Sequence, residues 1–469
     1  MRPSAESLLD TIAALATPVG RSAIALVRIS GERSREILSR LTRGLPDPIV
    51  PRRPHLVDFT DLRGETVDRG LATLFPAPAS FTGEDVAELS VHGSPVVVET
   101  LLRALIAAGA RPARPGEFTE RAFRLGKMDL VRAEAIRDLI DSRTEAAARA
   151  STRRLEGALS SRLAQAREDL LAAAASLAAT IDFSEDVGEV VDPTVLLRLT
   201  SARDSLARLA ATYARGRLLS AGCRVAILGR PNAGKSTLFN ALLGTARAIV
   251  TEVPGTTRDT IEATIDVAGI PVDLVDTAGL RDTDDRVEKI GVERAREEGK
   301  TAAAILYVFD ASAGWLVEDG AALAALDGKP VAVVANKIDR LTERERQEGS
   351  GRGPVAGFLP AGSSRTALAL CGLAAGAGAS LRALLEETIA ADVPGETDSE
   401  LLASLRQLDL IERARDAVTD ALDALARGVS PEYAATHVDS GLAALADVFG
   451  ETTPEDVLHR IFSTFCIGK

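Results

Sequence analysis

Aromatic residues are scarce. Phe, Tyr and Trp together make up 3% of 469 residues, with one Trp and three Tyr. Cores must therefore be packed mostly with Ala, Leu and Val, a composition that favours helices. Cysteine is scarcer still. Cys223, Cys371 and Cys466 are far apart and odd in number, which argues against a disulfide framework and suits a reducing compartment, so a cytoplasmic location is expected. Four scattered His residues add no zinc-ligand spacing. A long apolar run is missing too. The longest uncharged stretch, Thr366 to Leu381, is short and Gly-rich, so no membrane span is expected. The N-terminus lacks the basic region and apolar core of a signal peptide. Positive charge is in deficit: 55 Lys and Arg against 67 Asp and Glu leave −12. Whole-chain attraction to nucleic acid or an acidic membrane is thereby excluded. The dense basic stretches are Arg33–Arg53 and Arg111–Arg132, the expected places for any RNA contact made without a partner.

What is present is ordinary for a globular chain: 46% apolar and 26% charged residues. The length predicts two to four domains. Residues 1–125 alternate strand and helix signals, an α+β pattern. Ser22–Ile29 reads as a buried strand, Val86–His92 as a half-buried one, and Pro95–Ala108 as a helix opened by Ser94 and closed by Gly109. From Met128 to Ile181 the pattern becomes long helices, with Leu155, Leu159, Leu163, Ala166, Leu170, Ala173, Leu177 and Ile181 on one face. Leu199, Ala202, Leu206, Leu209 and Tyr213 repeat the step. It returns at Leu401, Leu405, Leu408, Val418, Leu422 and Leu425. Two helical blocks, 126–220 and 391–469, therefore flank an insertion, 221–390. There Arg224–Leu228, Val272–Val275, Ala304–Phe309 and Val331–Ala335 are short apolar runs, as in a doubly wound α/β sheet. Within it, Thr342–Ser364 reads as a polar loop.

The strand Arg224–Leu228 runs directly into Gly229-Arg-Pro-Asn-Ala-Gly-Lys-Ser236, which fits G-x-x-x-x-G-K-[ST]. Backbone N–H groups from Asn232, Ala233, Gly234, Lys235, Ser236 and Thr237 can close around phosphate oxygens. Lys235 can reach the β- and γ-phosphates, and Ser236 offers a hydroxyl to Mg2+. Asp276, Thr277, Ala278 and Gly279 end a strand, where an Asp can hold Mg2+ through water. Thr256 and Thr257 supply switch hydroxyls. Asn336, Lys337, Ile338 and Asp339 follow another strand, and Asp339 can accept from guanine N1–H and N2–H2, which argues for GTP. Leu280 stands where Ras-like enzymes place their water-orienting Gln, and no arginine finger is evident in cis. Asn232 offers a carbonyl oxygen to a monovalent cation that would supply the missing charge. Two stretches compete for the guanine loop: Cys371 and Gly372 within Leu370–Gly378, and Ser363–Thr366.

Over nearly its whole length the chain resembles the MnmE (TrmE) family of bacterial tRNA modification GTPases, among the TrmE-Era-EngA-like P-loop GTPases. The resemblance lies in ATPVGRSAIALVRISG (16–31), SFTGEDVAELSVHG (80–93), RPGEFTERAFRLGKMDLVRAEAIRDLI (114–140), GRPNAGKST, TEVPGTTRDTIE (251–262), DTAGLRDTDDRVEKIGVERA (276–295) and RIFSTFCIGK (460–469). It implies a multidomain chain: an N-terminal α+β folate-binding and dimerising domain, an α-helical domain built from both flanks, and an inserted α/β P-loop GTPase (G) domain. It also implies a K+-activated GTPase acting as a homodimer with the flavoprotein MnmG (GidA), whose cofactor is FAD. The pair would attach an aminomethyl or carboxymethylaminomethyl group to C5 of the wobble uridine of certain tRNAs. The one-carbon donor would be a 5-formyl- or 5,10-methylene-tetrahydrofolate.

By the same resemblance Arg28, Glu88, Lys127 and Lys469 line the folate pocket. Asn232, Thr251, Val253 and Thr256 hold K+. Ser236 and Thr257 hold Mg2+, the loop Thr251, Glu252, Val253, Pro254, Gly255, Thr256 and Thr257 folds over GTP, and Glu288 orients the attacking water. Cys466 reads as a small buried residue rather than a nucleophile. Because of the acidic balance, tRNA is expected mainly on the partner. The competing class is a regulatory GTPase switch in ribosome assembly. The N-terminal GEDVAELSVHG segment, the split helical domain and the CIGK end favour the modification enzyme. A stand-alone folate-dependent aminomethyl transferase would leave the G domain without a purpose.

Overall fold

The computed structural model describes residues 10–182, 192–245, 248–249, 261–276, 299, 301–324, 329–342, 367–390 and 401–469. The contacts divide the chain into two compact units: residues 1–137, 154–206 and 410–469, and residues 138–153 and 207–409.

The first unit contains strands β1 (Ile12–Leu15), β2 (Ser22–Ser30), β3 (Thr42–Arg43), β4 (His55–Thr60), β5 (Thr66–Phe75), β6 (Val86–Gly93) and β7 (Arg111–Pro112). They form one sheet in the order β3-β4-β5-β6-β2-β1-β7, antiparallel except where β7 joins β1. Alternation sorts its two faces. Val27, Ile29, Phe59, Leu74, Ala87 and Leu89 point inward and are buried with Ile37 and Leu38 of the helix Ser34–Arg40 and Leu101 and Leu105 of the helix Pro95–Ala107. The opposite face carries Leu26, Arg28, Glu88 and Ser90, with Leu71 and Leu56 exposed beside them. The helices Ala158–Asp182 and Pro431–Phe449 pack in the same unit, where Gly441 brings its backbone within van der Waals reach of Leu170.

Two helical expectations need correction. The face Leu155–Ile181 is not carried by one helix: within the Met128–Ile181 block helices run Leu130–Ile140, Glu145–Glu156 and Ala158–Asp182. Gly157, at φ 101, ends the second, so Leu155 leaves the stripe and is half-buried. In the helix Leu405–Ala426 the buried face is Gln407, Ile411, Ala414, Val418, Ala421 and Ala424; Leu405 is 66% exposed, and Leu422 and Leu425 are half-buried. Of the expected leucine stripe within this helix only Val418 is buried. In a chain this rich in alanine, the small residues take the closest-packed line and the leucines flank it.

The second unit contains β8 (Cys223–Leu228), β9 (Ala248–Ile249), β10 (Ile261–Val267), β11 (Ile270–Asp276), β12 (Ala304–Asp310), β13 (Val331–Asn336) and β14 (Ala367–Ala369). The sheet order is β14-β13-β12-β8-β11-β10-β9, parallel from β14 to β11 and antiparallel beyond. Its central strands are covered on both faces: Val225 to Leu228, Ile305 to Phe309 and Val331 to Ala335 are all buried. Arg143 Nη1 donates to Asp273 (2.6 Å) and Thr144 Oγ1 to Gly269 O (2.6 Å), which ties residues 138–153 into this unit. The expected loop Thr342–Ser364 lies, beyond Thr342, outside the described residues.

Candidate functional site

In a doubly wound sheet the loops at the carboxyl ends of the parallel strands meet at a crevice, and there the predicted nucleotide residues converge. β8 leads into the phosphate loop, and the helix Lys235–Thr245 leads out of it. Gly229 (φ 144) and Gly234 (φ 96) adopt backbone angles that L side chains avoid. A Cβ on Gly229 would strike Val308 O, and one on Gly234 would strike the Asn336 amide. Space at the turn is therefore reserved for backbone N–H groups at a helix N-terminus, which suits phosphate. Lys235 is 9% exposed, and its Nζ donates to Gly229 O (2.9 Å) and Arg230 O (3.0 Å). Ser236 is exposed at the head of the helix.

The Asn336-Lys-Ile-Asp339 segment braces this loop. Asn336, 2% exposed, donates from Nδ2 to Ala233 O (2.9 Å) and accepts at Oδ1 from Gly372 N (2.9 Å). Lys337 bridges Asn232 O (2.6 Å) and Asp310 Oδ2 (2.8 Å). Burial alone would raise the Asp310 carboxyl, but the Lys337 and Ser312 hydrogen bonds outweigh it and hold it below its usual range. Asp339 stands exposed in the turn that follows. Of the two candidate guanine loops, Cys371–Gly372 leaves β14 beside Asn336 and the helix of the phosphate loop, with Gly372 close to Thr237 and Leu238. Ser363–Thr366 lies outside the described residues, as do Thr251, Glu252, Val253, Pro254, Gly255, Thr256, Thr257, Thr277, Ala278, Gly279, Leu280 and Glu288. Asp276 ends β11.

A second cluster belongs to the first unit. β2 and β6 pair Arg28 with Glu88 directly, so both side chains leave the same face. Arg28 donates to Glu88 Oε1 from Nη2 (2.7 Å) and Nε (3.1 Å), and Nη1 reaches Gly468 O (3.4 Å). The guanidinium lies 5.6 Å from the Phe81 ring centroid and 5.8 Å from that of Phe118. Gly116 N donates to Cys466 O (3.3 Å), and buried Gly468 turns at φ 91 where a side chain would meet Leu15 O. The tail is thus built into the fold. Burial and the Arg28 charge lower the Lys469 ammonium pKa, against an opposing effect of Glu88. Lys127 donates to Pro78 O (2.9 Å) and packs its stem on Gly83, at the loop that carries Phe81.

Two expectations fail here. Cys466 is exposed, because the buried positions of the tail are taken by Phe465 and Gly468 on either side. Arg111–Arg132 is not a free basic surface. Arg121, 1% exposed, binds Asp10 (2.5 Å), Glu84 (3.0 Å) and Glu117 (3.4 Å). Arg111 binds Asp10 and Glu117, Arg114 binds Glu120, and Arg124 binds Glu120 and Glu455. Burial would raise the Glu117 carboxyl, but hydrogen bonds from Arg111 and the Arg114 amide bring it down to about 2. The i,i+4 spacings Glu117–Arg121 and Glu120–Arg124 were the sequence signal for this network. Arg33, Arg35, Arg40, Arg43, Arg52 and Arg53 of the other basic stretch remain exposed.

Two family models match the chain: the GTP-binding protein TrmE N-terminus over residues 11–127 and the MnmE helical domain over residues 130–466. Among curated relatives, the tRNA modification GTPase MnmE of Roseiflexus sp. strain RS-1 is 42% identical over 98% of this chain and 99% of that protein. MnmE of Aquifex aeolicus is 38% identical over 98% and 100%. Among solved structures, Era of Aquifex aeolicus is 26% identical over 42% of this chain and 66% of that chain, with a TM-score of 0.26. Near full-length identity at this level, together with the two family models, establishes that the chain belongs to the MnmE (TrmE) family of tRNA modification GTPases.

Proposed function

We propose that this GTPase couples GTP hydrolysis to a one-carbon transfer onto C5 of the tRNA wobble uridine, with separate nucleotide and folate sites. GTP sits with its phosphates on the Gly229–Ser236 loop and its base against Asp339. Lys235 leaves the carbonyls of Gly229 and Arg230 for the β- and γ-phosphates. The donor types suit hard cations: exposed Ser236 would hold Mg2+ together with Thr257, and exposed Asn232 (φ 60) would hold K+ together with Thr251, Val253 and Thr256, which lie outside the described residues. Ions held there would neutralise charge that develops between the phosphates. Glu288 takes the water-orienting role that Leu280 cannot perform.

The paired Arg28 and Glu88 are too close together to hold opposite ends of an extended folate. Glu88 accepts from the pterin's amino edge while Arg28 orients its carboxylate, and Lys127 and Lys469 serve the ligand's glutamate end. The ligand is a 5-formyl- or 5,10-methylene-tetrahydrofolate. The remaining participants are a second copy of this chain, for which the exposed Leu56 and Leu71 on the outer face of the first sheet offer apolar surface, and the FAD-bearing flavoprotein MnmG (GidA). Because the chain is acidic overall and Arg111, Arg114, Arg121 and Arg124 are paired internally, tRNA is held mainly by the partner.

The observation that carries this reading over a ribosome-assembly switch is the Arg28–Glu88 pair with Gly468 O on the same guanidinium, since a nucleotide switch has no need of a second polar site. Nucleoside analysis of tRNA from a strain lacking the gene tests it. The wobble C5 substituent should vanish and return with the wild-type gene; a retained substituent contradicts the proposal.

A further inference from the structure

Arg230 occupies a position that the phosphate-loop pattern leaves open to any residue. Its side chain is engaged by the loop after β12 and the helix Val317–Ala324 that follows. Nε donates to Asp319 Oδ1 (3.0 Å) and Nη2 to Gly314 O (3.1 Å). Asp319 is 0% exposed. The same Oδ1 accepts from the Tyr307 hydroxyl (2.8 Å), and Oδ2 accepts from Leu316 N (2.9 Å). Both carboxylate oxygens are therefore used. Tyr307 is buried on β12, where Trp315 lies against it and against Phe309, with ring centroids 6.1 and 5.2 Å apart. Burial and the Asp319 carboxylate push the Tyr307 phenol far up, so it stays a donor at any physiological pH.

A wholly buried carboxylate is costly in desolvation even when paired, so this one calls for a reason beyond packing. The backbone supplies it. The carbonyls of Gly229 and Arg230 both accept from the Lys235 ammonium. Gly229 is confined from one side by Val308 O of β12, and Arg230 is tethered through its own side chain. The opening of the phosphate loop is thus fixed at two points, and the second is Asp319.

We propose that Asp319, supported by Tyr307, is a positioning residue for nucleotide binding: through Arg230 it fixes the peptide that holds Lys235 ready for the phosphates. It does not touch nucleotide. Its loss lets the Gly229–Arg230 segment sample more conformations, which must be frozen again on binding. GTP and GDP should therefore both bind more weakly, while the step at saturation, which starts from a loop already frozen by the bound nucleotide, is spared.

The test uses the full chain and three variants, Asp319→Asn, Arg230→Lys and Tyr307→Phe, with fluorescent GDP and GTP analogues in Mg2+ and K+. Asp319→Asn should weaken both Kd values about tenfold, the scale for a hydrogen bond to a charged group, and raise KM in parallel with kcat held. Tyr307→Phe keeps the ring against Trp315 and should weaken binding about threefold. Trp315 is the single tryptophan, so its emission reports whether this packing survives. A folded Asp319→Asn with wild-type Kd values overturns the proposal, as does a fall in kcat at unchanged KM. If Asp319→Asn fails to fold, wild-type affinity in both Arg230→Lys and Tyr307→Phe overturns it equally.

Discussion

The two sheets have equal numbers of strands but carry their polar groups in different places. In the second unit the central strands are apolar on both faces, so every charged group that matters stands at a strand end. Lys235, Lys337 and Asp339 all follow the carboxyl ends of β8 or β13. In the first unit the largely antiparallel sheet has one face covered and one where polar and apolar side chains mix, and Arg28 and Glu88 sit there in mid-strand, 60 residues apart in sequence yet directly paired. A parallel sheet concentrates its chemistry in short contiguous loops. An antiparallel sheet distributes it across strands, and register alone brings the partners together. The two sites should accordingly respond to different perturbations.

The strand-end site should fail most severely when its water-orienting or charge-stabilising groups are removed. Glu288→Ala should bind GTP yet lose about 10²–10³ in turnover, and the wild-type rate in KCl should fall steeply in a matched NaCl buffer. Equal rates in the two salts would remove K+ from the account. Next comes acid stability, where the first unit's Glu117 should dominate. Glu117 has a folded pKa near 2 against an ordinary 4.5, so its contribution, on the order of 3 kcal/mol, is complete above about pH 4.5 and is lost as pH falls toward 2. Glu117→Gln should flatten that part of the acid-unfolding curve, measured by circular dichroism; an unchanged profile would show that the network does not hold the unit together.

A smaller effect, about 2 kcal/mol, is expected for Asp339→Asn, which should weaken GTP and favour xanthosine triphosphate. Competition binding with the two nucleotides checks it. The smallest belongs to the open face. Arg28→Ala leaves Glu88 half-buried without its partner and should weaken formyl-tetrahydrofolate about tenfold in calorimetry, with GTP turnover unchanged. A parallel loss of turnover would mean that the two sites are not separable.

The same contrast decided what could be read from the sequence. The runs Arg224–Leu228, Ala304–Phe309 and Val331–Ala335 lie within β8, β12 and β13, because strands buried on both faces are continuous apolar segments. The phosphate loop and Asn336–Asp339 were legible as contiguous motifs next to those strands. By contrast, composition and spacing could not join Arg28 to Glu88; only the family resemblance placed them together. Nor does any spacing rule link Arg230, Tyr307 and Asp319, or Asn336 and Gly372, which meet through sheet order. Gly157 breaks a helix whose apolar step continues past it. The arginines of 111–124 read as surface charge because their partners Asp10, Glu84 and Glu455 come from distant segments.

The most direct test of the account is whether one reaction needs both sites. A strain lacking the gene is complemented with wild type, Lys235→Ala or Arg28→Ala, and the wobble nucleosides of its tRNA are quantified. The account predicts that wild type alone restores the full level of the C5 substituent, with Lys235→Ala giving none and Arg28→Ala a reduced level that rises when cellular folate is raised. Full restoration by Lys235→Ala, or an Arg28→Ala level indistinguishable from wild type at limiting folate, would contradict it.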